Sequence, residues 1–159
     1  MSKLAGVICI ITGSVYLIAG QVRRKKQELM LIQSFQSALH TVEAAIRWKG
    51  QAVPDCLQEL KTRKMCGHFF RDILDLMQSG FTLQESWYRA FTSLPQELRH
   101  IMQQVEWDGD EMRILGNLQY AAEELSTHFR QRQTQWCCEK KLLIAAIGSA
   151  AGMLIIILL

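Results

Sequence analysis

Five cysteines, four histidines and fifteen carboxylates are the side chains with which this 159-residue chain could do chemistry. Their spacing does not favour it. Cys66 and His68 stand two apart, with no second ligand pair at the separation a zinc site needs. His40, His68, His100 and His128 never form H-x-x-x-H, the spacing that puts two imidazoles on one helix face. Asp108, Asp110 and Glu111 gather round Gly109 without the alternating ligand spacing of a calcium loop. A turn followed by an acid at the positive end of a helix dipole accounts for them better. Cys137 and Cys138 are adjacent and read as small apolar helix residues rather than acylated or metal-bound thiols. Neither G-x-x-x-x-G-K-[ST] nor G-x-G-x-x-G occurs, so no nucleotide is bound by those routes. No Ser, His and Asp share a nucleophile context. No catalytic residue, metal ligand or cofactor is therefore assigned.

The chemistry that is present lies in how charge and apolarity are distributed. Residues 4–22 carry no charge, and neither do residues 142–159. A helix needs about 20 apolar residues to cross a bilayer, so both runs are expected to span one. Arg23, Arg24, Lys25 and Lys26 follow the first run, and Lys140 and Lys141 precede the second. A cleaved secretory signal would carry its positive charge in front of a shorter apolar core. Basic residues stay on the cytoplasmic side. The expected layout is an N-terminal transmembrane anchor at 1–22, a cytoplasmic domain at 23–141, a C-terminal transmembrane helix at 142–159, and both termini outside. In a reducing cytoplasm the cysteines, odd in number and with Cys9 in the first run, form no disulfide framework. The formal charge of +3 is misleading, because residues 27–139 hold eleven bases against fifteen acids. Positive charge sits where lipid headgroups would be rather than on a folded surface that could neutralise phosphates, which excludes nucleic acid as a partner and names membrane lipid instead. Gly148 and Gly152 form a G-x-x-x-G that would let two helices approach closely in lipid. Trp136 suits the headgroup layer and a core position equally.

The middle is helical throughout, and the chain reads as an all-α bundle of about six helices. Leu29, Ile32, Phe35, Leu39, Val42 and Ile46 step by three or four and make one apolar stripe, which Gly50 ends. Pro54 fits the first turn of the next helix. Phe69, Phe70, Ile73, Leu74 and Met77 form a third stripe, stopped near Gly80. Thr82 and Glu85 read as a capping box, with Trp87, Ala90 and Phe91 behind it. Pro95 restarts the chain for a helix through Leu98 and Met102, and Trp107 to Asp110 is turn chemistry. Leu115, Leu118, Ala122, Leu125, Phe129, Arg132 and Trp136 predict one long last helix, continuous into the membrane span. Its stripe is either a seam with another copy, making a homo-oligomer, or the face laid on the bundle. A 30-residue echo aligns Gly50-Gln51-Ala52-Val53-Pro54-Asp55-Cys56-Leu57 with Gly80-Phe81-Thr82-Leu83-Gln84-Glu85-Ser86-Trp87 and predicts two similar helix hairpins.

These features together resemble the stage III sporulation protein AB family. The likeness is carried by the short first span with Arg23-Arg24-Lys25-Lys26, by Val42-Glu43-Ala44-Ala45-Ile46-Arg47, by the Gly80 to Trp87 opening, and by a long helix ending in Lys140-Lys141-Leu142 with Gly148, Gly152 and an Ile/Leu tail. That family is similar in turn to the cytoplasmic helical domain of type II secretion system F proteins, which are inner-membrane platforms. The resemblance implies a non-enzymatic platform in the mother-cell membrane facing the forespore. It would belong to a secretion-like channel complex needed for endospore formation, among other sporulation channel proteins and beside a partner ATPase. The competing readings are a membrane-anchored coiled-coil adaptor or signalling subunit unrelated to secretion, and a membrane enzyme.

Taken alone, segment 27–135 is expected to be soluble, mostly helical and inert. A circular dichroism spectrum dominated by strand would contradict this reading.

Overall fold

Between Gly20 and Gly50 the chain has neither glycine nor proline, so nothing there ends a helix. In the computed structural model, α1 accordingly runs Ser2–Lys49, joining the first apolar run and the first stripe into one element. The structure describes the backbone of residues 2–158, the side chains of residues 22–142, and a few side chains on either flank. Gly50 stops α1 with φ 57°. Then follow α2 (Val53–Leu60), α3 (Gly67–Gln78), α4 (Leu83–Ala90), a 3-10 turn (Phe91–Ser93), α5 (Gln96–Gln103) and α6 (Glu111–Leu158). The described residues contain helices and no strand, as expected.

Among the described residues, no helix is long and apolar enough to cross a membrane. Most side chains of residues 4–22 and 142–159, Gly148 and Gly152 among them, lie outside the described residues.

The chain divides into two compact units, residues 1–29 with 130–159, and residues 30–129.

The unit 30–129 holds the core. Ile32, Phe35, Leu39, Val42 and Ile46 of α1 are buried, as are Leu115, Leu118, Ala122 and Leu125 of α6. Both stripes read from the sequence therefore face inward. The two Gly-led hairpins are also real. Gly80, like Gly50, has a positive φ (96°), and each glycine is followed by an eight-residue helix starting three residues on. Cys56 and Leu57 of α2 are buried, and so are their counterparts Ser86 and Trp87 of α4. The capping box forms, with the Glu85 backbone N–H donating to Thr82 Oγ1 (3.3 Å) and the Thr82 N–H donating to Glu85 Oε2 (3.2 Å).

Aromatic rings lock these pieces together. Phe35 of α1 lies 5.3 Å from Phe69 and 5.6 Å from Phe91, centroid to centroid. Trp87 meets Phe91 and Trp107 edge-on, each at 4.8 Å. Its indole N–H donates to the Met102 carbonyl at 2.6 Å. Trp107, read from the sequence as part of a turn, is a core residue at 6% exposure.

Replacing Trp87 with alanine removes the largest fully buried side chain and should cost about 3–5 kcal/mol, measured by chemical denaturation. Ser86 is fully buried, and its hydroxyl has no partner. Ser86→Ala deletes an unpaired polar group, so its stability should equal or exceed that of wild type by up to about 1 kcal/mol.

Candidate functional site

Two polar constellations exist, one in each unit. The first is built where α1 and α6 run antiparallel in the unit 1–29 with 130–159. Lys25 bonds Glu139, and Glu28 faces Arg132 at 3.9 Å. The Lys25 ammonium also lies 5.6 Å from the centre of the Trp136 ring, a cation–π placement. The sequence left Trp136 open between headgroup layer and core; it is half-buried beneath this lysine. Because Lys25 meets Glu139, the clusters Arg23-Arg24-Lys25-Lys26 and Lys140-Lys141 stand at one level of the helix pair. Arg23, Arg24, Lys26, Lys140 and Lys141 are exposed and Lys25 is half-buried, so the six bases make one collar. Exposed pairs of this kind contribute little stability; what they create is concentrated positive charge. Beyond the collar, Val15, Tyr16, Leu142 and Met153 are large apolar side chains left exposed.

The second constellation staples the bundle. Glu43 is 9% exposed, the most buried carboxylate among the described residues. Its oxygens accept from Arg47 Nη2 (2.9 Å), one helical turn on, and from Gln119 Nε2 of α6 (2.9 Å), with His40 at 3.4 Å. A buried carboxylate needs such partners, and here they tie α1 to α6. Arg63 donates to Ser37 Oγ and Thr41 Oγ1, each at 2.8 Å, holding the α2–α3 connection on α1. Gln84 bridges in both senses. Its Nε2 donates to the Val105 carbonyl (3.3 Å), and its Oε1 accepts from the Trp107 N–H (2.8 Å). His128 Nε2 lies 2.7 Å from Glu97 Oε2. The sequence reading singled out neither Glu43, Gln84 nor this pair for these roles. Only for Glu43 was there a local signal, an arginine four residues on.

No reactive centre forms from the candidates weighed at the outset. Among the described residues no three of His, Cys, Asp and Glu converge to hold a metal. Asp110 Oδ1 accepts from the Arg113 N–H and caps α6, and Arg113 pairs with Glu106, so this acidic turn serves the helix start as anticipated. Cys66 and His68 do not act together. Cys66 is buried against Ser34 Oγ (3.0 Å), whereas His68 is exposed and stacks on Phe69. Burial pushes the Cys66 thiol up, more than the Ser34 hydrogen bond lowers it. Burial raises Cys56 too, with Glu59 adding to the effect. Cys137 and Cys138 are exposed on α6.

The residue patterns that suggested a family can now be seen as structural parts. Within Val42-Glu43-Ala44-Ala45-Ile46-Arg47, Val42, Ala45 and Ile46 are core, and Glu43 with Arg47 is the staple. The segment from Gly80 to Trp87 supplies a left-handed stop, a capping box, the Gln84 bridge and the central tryptophan. What the fold and its polar contacts define is a helical scaffold. The family model described as Stage III sporulation protein AB matches residues 3–159. The chain belongs to that family, which is consistent with a role in sporulation. No curated protein and no solved structure shows a significant match.

Thiol labelling checks the buried and exposed cysteines. A maleimide should modify Cys137 and Cys138 of the native protein rapidly, and Cys56 and Cys66 only after unfolding, since the thiolate is the nucleophile and burial disfavours it. Peptide mapping by mass spectrometry reads the outcome. Fast native labelling at Cys66 would contradict the packing described.

Proposed function

We propose that the chain is a non-enzymatic membrane platform of a secretion-like channel complex between mother cell and forespore, required for endospore formation. The observation that carries this reading is the collar. It gathers Arg23, Arg24, Lys25, Lys26, Lys140 and Lys141 at one level of a helix pair, the first four directly after an uncharged run of 19 residues and the last two directly before one of 18. Basic side chains at that level suit the anionic headgroups of the cytoplasmic leaflet. Exposed Val15, Tyr16, Leu142 and Met153 suit acyl chains. On this reading residues 4–22 and 142–159 cross the mother-cell membrane, both termini lie outside, and the bundle is cytoplasmic. Gly148 and Gly152 let the spans approach closely.

The platform role is supported by what the described residues are used for. Buried Glu43 braces α1 against α6, and among the described residues no three of His, Cys, Asp and Glu gather to hold a metal. The sequence carries no common phosphate-binding loop, so work on a channel would draw energy from a separate ATPase meeting the bundle.

The test is photo-crosslinking of the intact protein in sporulating cells, followed by mass spectrometry. Recovery of an ATPase and of other sporulation channel proteins is the expected result. Recovery of signalling proteins alone would favour the adaptor reading and overturn this one. A second measurement addresses the anchor. Replacing Arg23, Arg24, Lys25 and Lys26 with glutamine should weaken the topological bias and expose part of the bundle population to protease outside the cell. Complete protection in that variant, with the protein still in the membrane fraction, would remove the collar's assigned role.

A further inference from the structure

The unit 1–29 with 130–159 carries nine bases and two acids. Both acids are engaged at the seam between its helices, Glu139 with Lys25 and Glu28 opposite Arg132. That leaves Arg23, Arg24, Lys26, Lys140 and Lys141, all exposed, in excess.

How these bases are disposed round the pair follows from the seam contacts. Lys25 points from α1 toward α6, because it meets Glu139 and lies over the Trp136 ring. The helices run in opposite directions, since Lys25 meets Glu139 while Glu28 faces Arg132. Each further residue turns by about 100° round its helix. In an antiparallel pair, the residue after a seam position therefore turns to the same side on both helices. Here those residues are Lys26 on α1 and Lys140 on α6. Arg24 and Cys138, which precede the seam positions, turn to the opposite side. Arg23 and Lys141, two residues from them, point away from the seam.

Lys26 and Lys140 thus flank one side of the seam, about 3 Å apart along the axis at 1.5 Å rise per residue. Packed helix axes stand about 8–10 Å apart, a gap that two long side chains can close on one anion. Trp136 precedes Lys140 by one helical turn and shares its face. It is half-buried and held under the Lys25 ammonium. Glu139, the acid at this level, is taken up by Lys25.

Two ammonium groups beside an indole suit a phosphate. Position selects a lipid phosphate over a free one. Lys140 stands two residues before the uncharged run at 142–159, and Lys26 four residues after the run at 4–22. A headgroup seated on these lysines would lay its acyl chains along those runs. A headgroup with its own ammonium would bring a like charge beside the lysines, so the lipid should carry a net negative charge.

We propose that Lys26 and Lys140 clasp the phosphate of one anionic phospholipid beside Trp136, on one side of the α1–α6 pair. This deepens, and rests on, the reading in which the two uncharged runs cross the membrane; it does not depend on the channel partners. A diffuse collar responds to how many bases remain, whereas this site responds to which ones.

The experiment is native mass spectrometry of the intact chain, released from detergent micelles containing equal amounts of phosphatidylglycerol and phosphatidylcholine. Wild type should retain one phosphatidylglycerol in preference to phosphatidylcholine. Lys26→Gln with Lys140→Gln should lower that retention at least about tenfold, because both bases act at the headgroup level. Arg23→Gln with Lys141→Gln also removes one base from each helix, on the far faces, and should lower it far less. Inorganic phosphate in excess should not displace the lipid. Equal loss in the two variants would overturn the site and leave a diffuse collar. So would equal retention of the two lipids, or displacement by phosphate alone. Cell fractionation checks the membrane reading separately. Wild type outside the membrane fraction would overturn both readings, whereas unselective lipid binding by a membrane-held chain would overturn this one alone.

Discussion

A helix ends where its backbone is given a reason to end, and between Gly20 and Gly50 α1 is given none. The same holds for α6, where the interval between Gly116 and Gly148 has neither glycine nor proline. Propagation adds a hydrogen bond for each residue fixed, so an uninterrupted stretch of good helix formers continues through changes in its surroundings. Each long helix therefore carries two different chemistries on one backbone. Ile32 to Ile46 and Leu115 to Leu125 are buried in the bundle, while Lys25, Glu28, Arg132 and Glu139 meet across a polar stretch. The short helices α2 to α5 lie between them in the chain, and Phe69 and Phe91 pack on Phe35 of α1. They need internal stops, and Gly50, Gly80 and Pro95 supply them.

Periodic information was legible in the sequence because it is local. A residue three or four places along a helix shares its face whatever lies opposite, so the stripes on α1, α3 and α6 could be read before their partners were known. The capping box was legible for the same reason: Thr82 and Glu85 satisfy each other within one turn. The Gly50 and Gly80 echo predicted two hairpins of equal layout because φ above zero is a backbone demand that glycine meets at low cost. The fusion of the first apolar run with the first stripe was less visible, although the missing breaker was in plain view. Two different compositions suggested two elements, but composition changes solvation without ending a helix.

What the sequence did not show depends on pairs far apart in the chain. Gln84 is an unremarked glutamine until Val105 and Trp107 arrive beside it with an acceptor and a donor. Glu43 and Gln119 are 76 residues apart. Trp107 looked like turn furniture beside Asp108 and Gly109, because aromatic residues next to turn residues are common. Its ring is instead drawn onto Trp87, where an edge-on contact adds to the burial of both. Cys66 and His68 looked reactive only by proximity in sequence, and their side chains go to different environments.

This distribution bears on what the molecule is for. A catalytic centre concentrates perturbed polar groups in one concave place, where desolvation and convergent charge shift their protonation. Here buried Glu43 and half-buried Arg63 and Gln84 are spread along helix seams, and each engages a neighbour that belongs to another element: Glu43 with Gln119, Arg63 with Ser37, Gln84 with Trp107. The thiols shifted by burial are shifted toward inertness. The recess along α1 is lined by hydroxyl, amide and small apolar groups together with His40, Lys49, Glu59 and the Trp48 indole. Charge, meanwhile, is sorted by region: a collar of bases on one helix pair, a basic segment at 47–71 and an acidic turn at 106–111. Sorted exposed charge acts through association, because it raises encounter rates and selects partners while adding little to folding stability. Internal bracing and charge sorted by region are the features that the proposed platform role would use.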